Sequence, residues 1–337
     1  MANEMRKLPV HVLKTAEEIK KERMMNNLLN DMEIFIPFLS DRSVSDISVQ
    51  DSGELIISRF GKGREFTSII GPDYICERII KAAAAIQGKS LESFTGFPIL
   101  EGTITKYNAR ITGLLPPKVM RPQIQIRIPA RTVYALEDYV ANGQMSRKMF
   151  EQVVACIESR GNIVVSGSTG SGKTTMTNAI IKKMTEITPS DNFYIIEDTA
   201  ELQCSAKMKT MLWIAEDEAQ KAINRAAMRW TPDRIIFGEV RDGKVMRVLL
   251  NAWKRGHSGN VTTLHAEDGI STLLVIKEML GTDYSFMAEH LSSVINLVVH
   301  LRKTHSGIRV DELYPVTEET DNFLKGIKAS LENGEEK

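Results

Sequence analysis

An apolar strand, a glycine-rich loop and a helix follow one another without interruption over residues 162–188. The loop runs Gly167, Ser168, Thr169, Gly170, Ser171, Gly172, Lys173, Thr174 and satisfies G-x-x-x-x-G-K-[ST] in full, with Thr175 directly after it. Residues 162–166 form the strand. Residues 173–188 form the helix, with Met176, Ile180, Met184 and Ile187 on one face. This order sharply limits the fold, because glycines let the backbone turn tightly and the N–H groups of the turn and the helix start converge on an anion. It predicts a P-loop α/β domain that binds a nucleotide triphosphate with loop residues 167–175. Lys173 reaches the β- and γ-phosphates of ATP, and the Thr174 hydroxyl ligates Mg²⁺.

The 337 residues, 42% hydrophobic and 26% charged, suit two globular domains and exclude a disordered chain. No apolar run is long enough for a membrane span, the stretch at 295–301 included, and the charged first 21 residues lack the apolar stretch of a signal peptide. Lys and Arg total 43, as do Asp and Glu, so bulk charge does not draw the chain to nucleic acid. Cys76, Cys156 and Cys204 form no C-x-x-C pair, which excludes a cysteine-rich zinc ribbon and argues against a disulfide framework.

Residues 1–40 read as a helical segment with Leu13, Ile19, Leu28, Leu29 and Met32 among charges. Residues 41–130 read as an α+β domain. A strand at 44–50 turns through Asp51, Ser52 and Gly53 into a strand at 55–60; a helix from 73 to 87 stops at Gly88; strands follow at 102–104, 109–115 and 123–128. Residues 131–149 are expected to be linker and entry helix, residues 150–324 the P-loop domain, and residues 325–337 a polar tail. In the P-loop domain, buried strands are expected at 162–166, 193–197, 234–238 and 261–264, most of them separated by helices, as in a mostly parallel sheet.

A phosphate loop needs acids to organise the metal and position water. The strand ending at Glu239 puts that carboxylate at a carboxyl edge, where open α/β sheets bind ligands. A second strand ends in Glu197, Asp198 and, after a turn, Glu201; one of these orients Mg²⁺ through water, and the sequence does not select which. His257 and His265 flank one buried strand beside glycines and suggest a γ-phosphate sensor. An arginine from outside the loop stabilises the transition-state charge. The candidates are Arg110 and Arg127 in the first domain, and Arg225, Arg229, Arg234 and Arg241 in the second.

The loop, residues 196–202, residues 234–242 and residues 256–266 stand in fixed order. Together they resemble the secretion or traffic ATPases, whose corresponding segments are called Walker A, Asp box, Walker B and His box. The segment from Leu249 to His257 looks most like the conjugative-transfer and type IV secretion branch, although Lys254, Arg255 and Ser258 depart from its usual wording. The resemblance implies a RecA-like ATPase domain behind a smaller α+β domain, and a homohexameric ring. Each subunit would bind ATP between its domains, with Arg110 and Arg127 at positions that contact phosphates in the family. It also implies a peripheral place at the cytoplasmic face of the inner membrane, working with membrane components of a secretion or conjugation machine in pilus assembly or export. The alternatives are a pilus assembly or retraction motor of a sibling branch, an ATP-gated scaffold, and a nucleic-acid-stimulated RecA-like motor. Against the last stand the zero net charge and the 6% of aromatic residues, too few for an evident base-stacking platform.

Overall fold

The computed structural model describes residues 15–59, 64–86, 99–129, 133–214, 216–281, 285–304 and 307–332. The expected helix before residue 15, the stop at Gly88 and the end of the polar tail lie outside the described residues. The chain divides into two compact units, Met1–Pro129 and Ala130–Lys337.

In the first unit, α1 (Ala16–Asp31) and α2 (Ile36–Ser40) precede β1 (Val44–Val49), β2 (Glu54–Arg59) and β3 (Arg64–Ile70). Then come α3 (Asp73–Ile86), β4 (Ile99–Ile104), β5 (Ala109–Leu114) and β6 (Gln123–Arg127). The six strands form an antiparallel sheet in the order β3-β2-β1-β6-β5-β4. Alternation along each strand sends one set of side chains to each face. Ile57, Ile47, Ile126 and Ile111 are register partners in one row and are buried in a core with Leu28 of α1 and Ile79 and Ile80 of α3. The next row reads Ser58, Asp46, Arg127, Arg110 and Thr103, so the two arginines of this unit are cross-strand neighbours. Two guanidinium groups side by side repel, and acids offset this: Asp46 lies 3.4 Å from Arg127 and Glu101 lies 3.6 Å from Arg110.

The second unit opens with α4 (Leu136–Ala141) and α5 (Arg147–Glu158), followed by β7 (Ile163–Gly167), α6 (Lys173–Ile187), β8 (Phe193–Glu197), β9 (Lys209–Trp213) and α7 (Glu216–Arg229). It continues with β10 (Arg234–Glu239), α8 (Gly243–Lys254), β11 (Val261–Leu264), α9 (Gly269–Leu280), α10 (Ser285–Ala288), β12 (Leu297–Thr304), β13 (Gly307–Pro315) and α11 (Glu318–Glu332). The sheet order is β13-β12-β7-β11-β10-β8-β9; the β12–β13 pair is antiparallel and the other neighbours are parallel. Residues of α4, α5 and α6 cover one face and residues of α7, α8 and α9 the other. The central strands β7, β8 and β11 are therefore buried along their whole length and read as continuous apolar or small-residue runs.

Residues 131–149, expected as linker and entry helix, include α4, and Leu136, Tyr139 and Met145 are buried in the same core as α5 and α6. Strands β3, β9, β12 and β13 were not expected; β3 extends the first sheet at one edge, and the other three extend the second sheet at both edges. Helix α11 runs to Glu332, past residue 325 where the polar tail is expected to begin; before that point Leu324 is buried and its carbonyl accepts the Lys277 ammonium at 2.7 Å.

Arg234 opens β10 with its side chain fully buried. Its Nε donates to Asp191 at 2.7 Å and Nη2 to the Thr188 hydroxyl at 3.0 Å, while Nη1 donates to the Gly259 carbonyl. It thus ties the starts of three chain segments together at the sheet edge opposite the phosphate loop. Arg234→Met should leave Asp191 with Arg160, 3.0 Å away, as its remaining arginine partner and cost on the order of 2 kcal/mol of stability. ATP turnover per folded molecule should stay unchanged; denaturant midpoints and turnover measured on one preparation check both.

Candidate active site

Strand order positions the chemistry. Strand β11 lies between β7 and β10, so the residue after β11 falls between the loop that succeeds β7 and the acid that ends β10. That residue is His265. Its Nδ1 lies 3.1 Å from the Lys173 ammonium, and its Nε2 lies 2.7 Å from a Glu239 carboxylate oxygen. A lysine ammonium only donates, so Nδ1 accepts, and the ring proton sits on Nε2 and is donated to Glu239. The other Glu239 oxygen accepts from Arg241, whose Nη1 also donates to Asp198 at 3.1 Å. The result is one connected series, Lys173, His265, Glu239, Arg241 and Asp198, across the carboxyl edges of four strands.

The loop itself is built for an anion. Gly172 stands at φ +88°, a left-handed conformation at the N-terminus of α6 that favours glycine. At Gly167, a side chain would collide with the Leu301 carbonyl and come within 2.5 Å of the Ser171 hydroxyl. The Lys173 ammonium folds onto the carbonyls of Gly167, 3.0 Å away, and Ser168, 3.2 Å away. The Ser171 hydroxyl is buried and has no hydrogen-bond partner among the described residues. An unpaired buried hydroxyl is costly, and a phosphate oxygen in the loop is the partner its position calls for. Glycine turn, lysine and hydroxyl thus fit a bound triphosphate.

A second arm comes from β8. The Thr174 hydroxyl donates to Glu201 at 3.1 Å. Glu197 is nearly buried, 4% exposed, and accepts the backbone N–H groups of Glu201 at 3.0 Å and Leu202 at 2.9 Å and the Trp213 indole N–H at 3.2 Å. Burial pushes its carboxyl up to about 7 in spite of these donors. Asn178 of α6 holds the same turn, donating to the Glu201 carbonyl at 3.0 Å and accepting the Gln203 N–H at 2.7 Å.

Not every expected residue joins this group. His257 lies at the amino end of β11, with Nδ1 2.8 Å from the Pro232 carbonyl, one strand length away from His265. Arg225 and Arg229 are exposed on α7, and Arg234 belongs to the opposite sheet edge. Of the second-unit arginines considered, Arg241 is the one joined to Glu239 and Asp198. Arg110 and Arg127 lie in the first unit. The roles of Trp213 and Asn178 carry no motif; only the pairing of β9 with β8 and the packing of α6 bring them in.

A phosphate loop of this geometry, with an acid at a parallel strand's carboxyl edge and an intervening strand bearing the histidine, defines a RecA-like P-loop ATPase. Residues 100–322 match the family described as "Type II/IV secretion system protein". The conjugal transfer protein TrbB of Rhizobium radiobacter is 36% identical over 276 residues, covering 82% of this chain and 84% of that protein. The chain belongs to this secretion ATPase family. Among solved structures, the ATPase DotB of Legionella pneumophila aligns with a TM-score of 0.62 at 16% identity, over 95% of this chain and 85% of that one. The pilus retraction motor PilT, solved with bound ADP, also gives 0.62 at 19% identity, over 89% and 87%. Both share the fold.

The raised Glu197 pKa has a signed consequence. A carboxyl whose pKa is raised on folding holds its proton more tightly in the native state, so its contribution is complete below the ordinary value of 4.5 and is lost as pH rises through about 7. Relative to the parent, Glu197→Gln should therefore gain on the order of 2 kcal/mol of stability between pH 5 and pH 8. Denaturant midpoints at pH 5, 6, 7 and 8 read this directly.

Proposed function

We propose that this chain is the homohexameric ATPase of a conjugative-transfer or type IV secretion machine, working at the cytoplasmic face of the inner membrane on pilus assembly or substrate export. The observation that carries the catalytic part is the contact series from Lys173 through His265 to Glu239. The conjugative part rests on the likeness to TrbB. Among the described residues, no helix is long and apolar enough to cross a membrane.

In this reading Lys173 exchanges its loop carbonyls for the β- and γ-phosphate oxygens of ATP, and the buried Ser171 hydroxyl gains an acceptor. Mg²⁺, when bound, neutralises charge shared by the β- and γ-phosphates. The Thr174 hydroxyl would hold it, with Glu201 as the carboxylate that orients its water. Glu239 positions the attacking water and accepts its proton. His265 keeps the Glu239 carboxylate turned toward the loop and reports the state of Lys173 to it. Arg241, which donates to Glu239, would answer charge that develops near that carboxylate. Arg110 and Arg127 are proposed as phosphate contacts on the family resemblance, supported by their adjacency on β5 and β6.

Glu239→Gln should bind ATP as the parent does and hydrolyse it more slowly by a factor on the order of 10² or more, since water activation acts in the transition state. Lys173→Ala serves as the control without turnover. A Glu239→Gln protein that loses affinity as fast as it loses turnover would make Glu239 a binding residue instead. Arg127→Ala should keep its melting temperature and weaken ATP binding by about tenfold, the worth of one charge-assisted contact, as measured with a fluorescent ATP analogue. Stimulation of turnover by single-stranded DNA, lost at high salt, would favour the nucleic-acid motor.

A further inference from the structure

Glu197 ends β8 between two neighbours that shape its surroundings. On one side is Gly238 of β10, where a Cβ would stand 3.0 Å from the Glu197 Cβ, so glycine leaves this side chain its room. On the other is Trp213, its register partner on β9. Strand β9 is an edge strand of the sheet, and Trp213 is 59% exposed. Packing alone does not account for a large aromatic in so open a place; its N–H does. It donates at 3.2 Å to one oxygen of a carboxylate whose other oxygen collects the N–H groups of Glu201 and Leu202.

Three donors aimed at two oxygens suit an ionised carboxylate, which can only accept. The backbone held in this way carries Glu201, whose carboxylate receives the Thr174 hydroxyl at 3.1 Å and whose carbonyl receives Asn178 at 3.0 Å. A continuous path therefore runs from an exposed edge-strand indole, through a buried acid, to the first turn of the phosphate-loop helix. We propose that Trp213 is a positioning residue for ATP hydrolysis: its N–H orients Glu197, which sets the 198–202 turn and aims Glu201 at Thr174. The proposal rests on the reading of Thr174 as the metal-bearing hydroxyl of the ATP site. Losing the indole donor leaves one Glu197 oxygen without this partner and frees the carboxylate to turn away from the 201–202 backbone.

The test compares two substitutions in the full-length protein. Trp213→Phe keeps an aromatic ring and removes the N–H. Trp213→Gln removes the ring and keeps an N–H donor as many bonds from the backbone as the indole nitrogen. Four quantities are read: kcat for ATP, the Mg²⁺ concentration giving half-maximal turnover, the affinity for a fluorescent ATP analogue in excess EDTA, and the melting temperature. In Trp213→Phe, kcat should fall by about tenfold, in line with one lost hydrogen bond to a charged group. Its Mg²⁺ requirement should rise, while metal-free nucleotide affinity and melting temperature stay at the parent's. Trp213→Gln should recover most of the lost turnover. Parental kcat and Mg²⁺ dependence in Trp213→Phe would overturn the proposal. So would an equal loss in Trp213→Gln, or a fall in metal-free affinity and melting temperature that tracks the fall in turnover. Thr174→Ala and Lys173→Ala are assayed alongside: if either hydrolyses ATP like the parent, the site reading itself fails, and the proposal with it, whatever the Trp213 variants do.

Discussion

The placement of β11 between β7 and β10 is the constraint on which the rest of the site depends. Parallel strands put all their carboxyl ends on one side, so three consecutive neighbours deliver a lysine, a histidine and a glutamate to one edge. The charges along the series run positive, neutral, negative, positive, negative, so no member sits beside a like charge. Such a series is balanced as it stands, and an incoming triphosphate disturbs it at its cationic end. The register shift between Phe237 and Glu239 contributes locally: Thr263 reaches the Gly238 carbonyl with its hydroxyl at 2.9 Å and the Val240 N–H with its own carbonyl at 2.9 Å, which fixes the strand end that bears the acid.

The two units solve burial differently, and the difference shows in their sequences. The first has one core face, so its strands alternate and leave a polar row that gathers Asp46, Arg127 and Arg110. The second is covered on both faces, so its central strands are apolar or small-residue runs and function is confined to the residues at and just beyond their carboxyl ends. Among these, Glu197 is set apart by its burial. It is the last residue of β8, buried, and usable only because three donors meet it.

That contrast decides what the sequence could reveal. The phosphate loop and strands β7, β8, β10 and β11 were legible because each is a short apolar or small-residue run ending in glycine, acid or histidine. Strand β9 was not, since Lys209 and Trp213 are exposed and its middle residues only half-buried. The β12–β13 hairpin was hidden for a related reason: its apolar half, 297–301, is short, and Arg302, Lys303 and Arg309 conceal the pairing. His257 and His265 look equivalent along the chain. The two ends of one strand, at about 3.3 Å per residue, cannot serve one site, and the spacing does not say which end is the working one. The adjacency of Arg110 and Arg127, seventeen positions apart, needed the register of β5 against β6. Trp213 acts through a neighbour in space and leaves no pattern in sequence.

The position of α4 bears on how this protein is taken apart at the bench. Leu136 and Tyr139 complete the core under α5 and α6, and Gln144 joins β13 from both directions: its side chain donates to the Ile308 carbonyl at 2.9 Å and its carbonyl accepts the Val310 N–H at 2.8 Å. A recombinant catalytic half cut at the P-loop domain's apparent start, residue 150, would leave an apolar socket open and an edge strand short of two bonds. Such a fragment would precipitate for reasons unrelated to its chemistry. A cut at the boundary after Pro129 keeps the plug in its socket.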